Sequence, residues 1–234
     1  MAMGRFDTTR WSVIMRARGD AGEARAALDA LCRTYRPPVL AYVRSSVRST
    51  DAAEDLTQAF FARFLEREWH AAADPERGRF RTFLLTTLKR FLIDADAEAR
   101  ALKRGGGCHI QSLDDDASGG VASGDTPEQT FDRAWARSVL AAAFDRLRGE
   151  AERAGKLDLF ECLSEFLVEP PDEADYARVA QHLNLRRNTL AVAVHRLRRR
   201  LRELVQAELA ETTIGPTALE EELRALRDAL GSAP

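Results

Sequence analysis

Tyr176-Ala177-Arg178-Val179-Ala180-Gln181-His182-Leu183-Asn184-Leu185-Arg186-Arg187-Asn188-Thr189-Leu190 has the layout of two short helices joined by a tight turn. Small Ala180 permits a close helix crossing, Leu183 and Leu185 flank the turn as expected core plugs, and a polar segment opens the second helix. Ordinary helical hairpins share that layout. The continuation separates this one from them: Arg186, Arg187, Arg196, Arg198, Arg199, Arg200 and Arg202 accumulate without a carboxylate before Glu203. A helix of that charge matches the phosphates of a nucleic acid. The bland alternative is a solvated basic face balanced by acids elsewhere in the chain.

Outward from this stretch, helical periodicity continues in both directions and no alternating run flanked by hairpin turns interrupts it, so the fold class is all-α. Helices are expected over residues 127–149, 151–167, 173–182 and 187–211, with Gly215-Pro216 breaking the last and a short amphipathic helix over 217–230. Thr217 and Glu220 have capping-box spacing there, and Leu219, Leu223, Leu226 and Leu230 share one face. Such a helix needs an apolar surface to pack on, in one half of the chain or the other. Toward the N-terminus the pattern predicts helices over 9–18, 24–46, 51–67 and 80–101. Pro37-Pro38 should kink or restart the second, and Ala53, Leu56, Phe60 and Phe64 should face the core from the third.

Charge is segregated along the chain. Lys+Arg 35 against Asp+Glu 37 leaves a net −2, unlike a generic nucleic-acid-coating protein. Between Gly105 and Phe131, however, there is no Lys or Arg, while Asp114, Asp115, Asp116, Asp125 and Glu128 are acidic. This Gly/Ser/Asp-rich run reads as a flexible acidic linker between two small helical domains. The expected division is an N-terminal helical extension 1–23, a first domain 24–104, the linker 105–130, a second domain 131–211 and a C-terminal helical extension 212–234.

The first domain carries its own basic surface. Arg77, Arg79, Arg81, Lys89, Arg90, Arg100, Lys103 and Arg104 are interleaved with Phe80, Phe83 and Phe91. Basic residues beside aromatics suit single-stranded DNA, although most of these aromatics fall at core spacing and Phe80 is the strongest candidate for stacking. Cys32, Cys108 and Cys162 are too far apart for a zinc knuckle or a disulfide framework, which fits a reduced cytoplasmic setting. His70, His109, His182 and His195 show no ligand spacing, so no metal, cofactor or catalytic group is expected, and no window is apolar enough for a membrane span.

Ala52-Ala53-Glu54-Asp55-Leu56-Thr57-Gln58-Ala59-Phe60 resembles the acidic motif by which sigma-70-type factors grip the clamp of RNA polymerase. With residues 28–46 before it, 77–104 after it and the closing helix-turn-helix, the chain resembles the extracytoplasmic-function (ECF) group, which keeps sigma regions 2 and 4. Thr9-Arg10-Trp11-Ser12, Arg77-Gly78-Arg79-Phe80 and Val194-His195-Arg196-Leu197-Arg198 extend that similarity. The resemblance implies a non-enzymatic initiation factor whose partners are bacterial core RNA polymerase and promoter DNA. It implies that Glu54, Asp55 and Gln58 face the polymerase, and that the loop 70–80 with Arg77, Arg79, Phe80, Arg81, Lys89 and Arg90 meets the minus-ten element. Arg187, Asn188, Ala191, Val192, His195, Arg196, Arg199 and Arg200 would meet the minus-35 element. Ala191 and Val192 depart from the usual polar pair and would offer apolar contact to thymine methyls. Some members answer to a serine/threonine kinase and others to an anti-sigma factor, which makes Thr57 a candidate phosphorylation site; its helical position argues for a half-buried residue instead. The rival reading is a two-domain helix-turn-helix regulator that is no polymerase subunit, which leaves the acidic motif without a purpose.

Overall fold

The computed structural model describes residues 21–47, 49–72, 79–104, 125–213 and 215–231. Among these the fold is all-α: α1 (Ala21–Ser46), α2 (Thr50–Glu66), a 3-10 turn η1 (Trp69–Ala72), α3 (Phe80–Arg104), α4 (Pro127–Arg153), α5 (Leu157–Leu163), η2 (Glu165–Leu167), α6 (Glu173–Leu183), α7 (Arg187–Ala210) and α8 (Pro216–Gly231). The helix expected over 9–18 and the linker acids Asp114–Asp116 lie outside the described residues.

The chain divides into two units, Met1–Ser138 with Leu209–Pro234, and Val139–Glu208. The division differs from the expected one in two places. It falls inside α4 rather than in the linker, and the C-terminal extension belongs to the first unit. Burial explains both: Phe131 and Trp135 at the start of α4 and Leu226 on α8 are core residues of that unit.

In the first unit, α1 runs unbroken through Pro37 and Pro38, where a kink or restart was expected. Tyr35, Val39 and Val43 are fully buried on either side of the prolines, so packing holds the helix where two backbone donors are missing. Ser49 caps α2, its hydroxyl accepting from the Ala52 amide, and the buried stripe is Ala53, Thr57, Phe60 and Phe64. Thr57 thus shares the core-facing stripe, and Leu56 lies only partly within it. Phe60 packs edge-on against Phe91 of α3 at 5.5 Å, and Phe64 lies 6.4 Å from Trp69 of η1. Thr126 and Gln129 cap α4 reciprocally, each side chain accepting from the other's amide, with Pro127 in the first helical position.

The second unit is built on the quoted stretch. Gly155, at φ +64°, ends α4 in the left-handed region, and Lys156 donates back to the Ala151 carbonyl at 2.8 Å. The helix expected over 151–167 therefore begins only at Leu157, residues 151–153 belonging to α4, and it divides again at Ser164 into α5 and η2. Asp172 and Asp175 form a capping box at the start of α6. Asn184 closes that helix at φ 50°, ψ 42°, a conformation asparagine tolerates, and Leu185 donates to the Ala180 carbonyl at 3.0 Å. Leu163, Phe166, Val179, Leu190 and Val194 form the core, with Leu183 packed at its edge. Leu185, expected as a core plug, is exposed because the left-handed turn at Asn184 rotates it outward.

Candidate nucleic-acid interface

In the second unit, Leu190 and Val194 point into the core with Ala193 packed at its edge, so Ala191 and Val192 between them point away from it. Arg187, Asn188, Ala191, Val192, His195, Arg196, Arg199 and Arg200 are all exposed, and together they form the outward face of α7. They divide by what holds them. Arg187 pairs with Glu173 at 2.9 Å and lies over the Tyr176 ring, which ties the first turn of α7 to α6. Arg196 makes no ion pair among the described residues. Arg199 meets only Glu203, one turn on, at 3.2 Å. Arg200 is gripped by Glu150 of α4 through two hydrogen bonds of 2.8 and 2.7 Å, and also by Glu203. The Arg200 contacts hold Glu150 below the usual carboxylate range, and those of Arg200 and Arg199 do the same for Glu203. Arg198, counted by sequence within the basic run, instead donates to the Phe166 carbonyl at 3.0 and 2.6 Å and braces η2.

The basic residues of the first unit are disposed differently. Arg77, and the side chains of Lys103 and Arg104, lie outside the described residues. Phe80, expected to stack on a base, is a core residue at 1% exposure, packed edge-on against Tyr35 at 5.1 Å. The expectation is corrected: no face of the ring is left for a base, because the first turn of α3 points inward at Phe80 and again at Leu84. Arg81 is nearly enclosed. Its guanidinium lies 4.4 Å from the Trp135 ring centroid, bonds to Asp132, and has its Nε 3.3 Å from Oε2 of Glu222. Arg79 reaches the other oxygen of Glu222 at 3.5 Å and Glu221 at 3.9 Å. Lys89 bonds Glu128 at 2.6 Å, which raises the lysine and depresses the glutamate. Arg90 alone of the described set is exposed without an ion pair.

Glu222, at 2% exposure, was not anticipated as part of this surface. A signal was present in the pattern: an acid at this position sits among the leucines of α8, on the face that Leu226 buries. The expected start of that helix also shifts, since Gly215, at φ +85°, and Pro216 open it and Leu219 donates to the Gly215 carbonyl, leaving Thr217 inside.

On α2, Asp55 and Gln58 are exposed, and Glu54 bridges Arg36 at 2.8 Å and Arg44 at 2.9 Å on the surface. Thr57 is fully buried and its hydroxyl has no hydrogen-bond partner. As a phosphorylation site it is corrected: the folded chain presents no hydroxyl there, and a kinase would need α2 lifted from the core. No helix among the described residues is long and apolar enough to cross a membrane, and no cluster of His, Cys, Asp or Glu among them could hold a metal.

No curated protein and no solved structure matches this chain. Residues 31–101, which hold the Glu54–Gln58 surface and the Arg79–Arg90 surface but not the acids that cover the latter, match the family model for sigma-70 region 2.

Proposed function

We propose that this chain is an initiation factor of the ECF type, which binds core RNA polymerase in the bacterial cytoplasm and directs it to promoters without chemistry of its own. One observation carries the reading: a sigma-70 region 2 segment precedes, in one chain, a helix-turn-helix whose outward face is basic and open. In this reading Glu54, Asp55 and Gln58 face the polymerase, the basic end of α3 meets the minus-ten element, and α7 enters the major groove at the minus-35 element.

Groove geometry then assigns roles along α7. Asn188, Ala191, Val192, His195 and Arg196 lie in its N-terminal half, where a recognition helix approaches base edges, whereas Arg199 and Arg200 lie further on, where the DNA backbone recedes. The exposed methyls of Ala191 and Val192 suit thymine, and unpaired Arg196 suits a guanine or a phosphate. Co-purification of the full chain with core polymerase tests the reading. Retention that falls in the Glu54→Ala, Asp55→Ala double variant supports it; a chain that binds duplex DNA but never core polymerase would be a helix-turn-helix regulator instead.

A further inference from the structure

Three cations of α3 and the residue before it, Arg79, Arg81 and Lys89, are each taken up by an acid from outside the region 2 segment, while Arg90 stays open. Arg81 is met by Asp132 and Glu222, Arg79 by Glu221 and Glu222, and Lys89 by Glu128. The arrangement around Glu222 is the unusual one. Its carboxylate stands at ion-pair distance from two guanidiniums, with Arg81 Nε at 3.3 Å and Arg79 Nε at 3.5 Å, contacts longer than well-formed charged hydrogen bonds. Burial pushes the Glu222 carboxyl up while Arg81 and Arg79 pull it down. A carboxylate taken out of water this completely needs short, well-aligned hydrogen bonds to offset the desolvation. Leu226, one turn further on and buried, supplies the favourable part of the docking. The contact is charge-matched but imperfectly made, so an anion with better geometry for two guanidiniums can replace it.

We propose that α8 is an intramolecular gate over the single-strand-binding face of region 2: Glu222 holds Arg79 and Arg81 in the place of nucleic-acid phosphates, and the face opens when α8 leaves. The inference rests on the reading of α3 as a DNA-binding element and adds a regulated state to it. A purely structural α8 would equally be buried. It would not need an acid set on its leucine face against those two arginines, and an apolar residue there would pack without the desolvation penalty.

The test compares the full chain, Glu222→Gln, and a chain ending before Gly215, each checked for helicity and melting by circular dichroism. Binding of fluorescein-labelled oligothymidine is measured across a salt series, and co-purification with core polymerase is scored on the same samples. The gate predicts that at least one folded variant binds the oligonucleotide about tenfold tighter than the full chain. It also predicts a salt slope steeper by about 1.4, the value for two added phosphate contacts on a single strand. Adding Arg79→Ala to Glu222→Gln should cancel part of that gain. Folded variants that bind like the full chain, or a gain indifferent to Arg79, would overturn the gate. The two proposals fail separately: core binding without an oligonucleotide gain removes the gate and keeps the initiation factor, and a gain without core binding does the reverse.

Discussion

Arg81 and Arg196 give the same signal in the sequence, an arginine in the N-terminal half of a basic amphipathic helix, and the fold surrounds them differently. Arg81 is enclosed by Trp135, Asp132 and Glu222, groups brought from two other helices. Arg196 stands on the open face of α7 with no ion pair among the described residues. The one is held inside the fold by an aromatic ring and two acids, and the other stands exposed. A basic run therefore reports the capacity to meet phosphate; whether that capacity is available depends on where the acids of the same chain fold.

The largest effect that can break this comparison is on stability. Arg81→Ala leaves Glu222 buried with one cation fewer, and removal of one partner from a buried ion pair costs about 3–5 kcal/mol. Arg196→Ala, exposed and unpaired, should stay within about 0.5 kcal/mol. Urea denaturation followed by circular dichroism checks both, and equal small losses would mean that the enclosure of Arg81 does not stabilise the fold.

The next effect is on DNA. Arg196→Ala should weaken binding to matched promoter duplex by about 1–3 kcal/mol and relax preference at one base pair. Arg199→Ala should weaken matched and scrambled duplexes alike and reduce the salt slope by about 1. Arg200→Ala should add a stability loss, because its fork also ties α7 to Glu150 of α4. Equal losses for Arg196 and Arg199 on both duplexes would make α7 a nonspecific clamp.

How much was legible follows from range along the chain. The helix pair α6–α7 with its tight turn was readable because its determinants are local: Leu183 packs at the core as its place beside the turn suggested, although Leu185 does not. The break between α4 and α5 was expected at Gly149 and falls instead at Gly155, because only the backbone shows which glycine takes the left-handed turn. Phe80 was ambiguous because a phenylalanine beside arginines suits a stacked base and a core equally, and its partner Tyr35 lies on another helix. The cover over Arg79 and Arg81 was illegible for the same reason, since no local pattern tells which acid reaches which arginine. What the sequence did hold was a carboxylate out of place among the leucines of α8.

A third prediction concerns Thr57. Its hydroxyl is buried without a partner, so Thr57→Val, of similar shape, should leave stability unchanged or raise it, whereas Thr57→Glu should destabilise α2 by burying a charge. Thermal melts decide this, and a Thr57→Glu chain that melts like the parent would restore the residue as an accessible switch.

The smallest effect is with pH. Glu128 sits below its ordinary value of 4.5 because Lys89 donates to it, so the stabilisation from this pair is present above that value and is lost as pH falls through the depressed one. Both groups are substantially exposed, which keeps the effect small. Acid titration of stability in the parent and in Glu128→Gln should converge at low pH; curves that stay parallel would contradict the pair.

The central claim is that a region 2 segment and a helix-turn-helix in this chain act together on polymerase. Run-off transcription with purified core polymerase on a library of promoter-bearing fragments tests it most directly. The account predicts discrete start sites that need the full chain and vanish with Glu54→Ala, Asp55→Ala. Transcripts identical to those of core polymerase alone, from a folded chain with α8 removed as well as from the intact one, would contradict it.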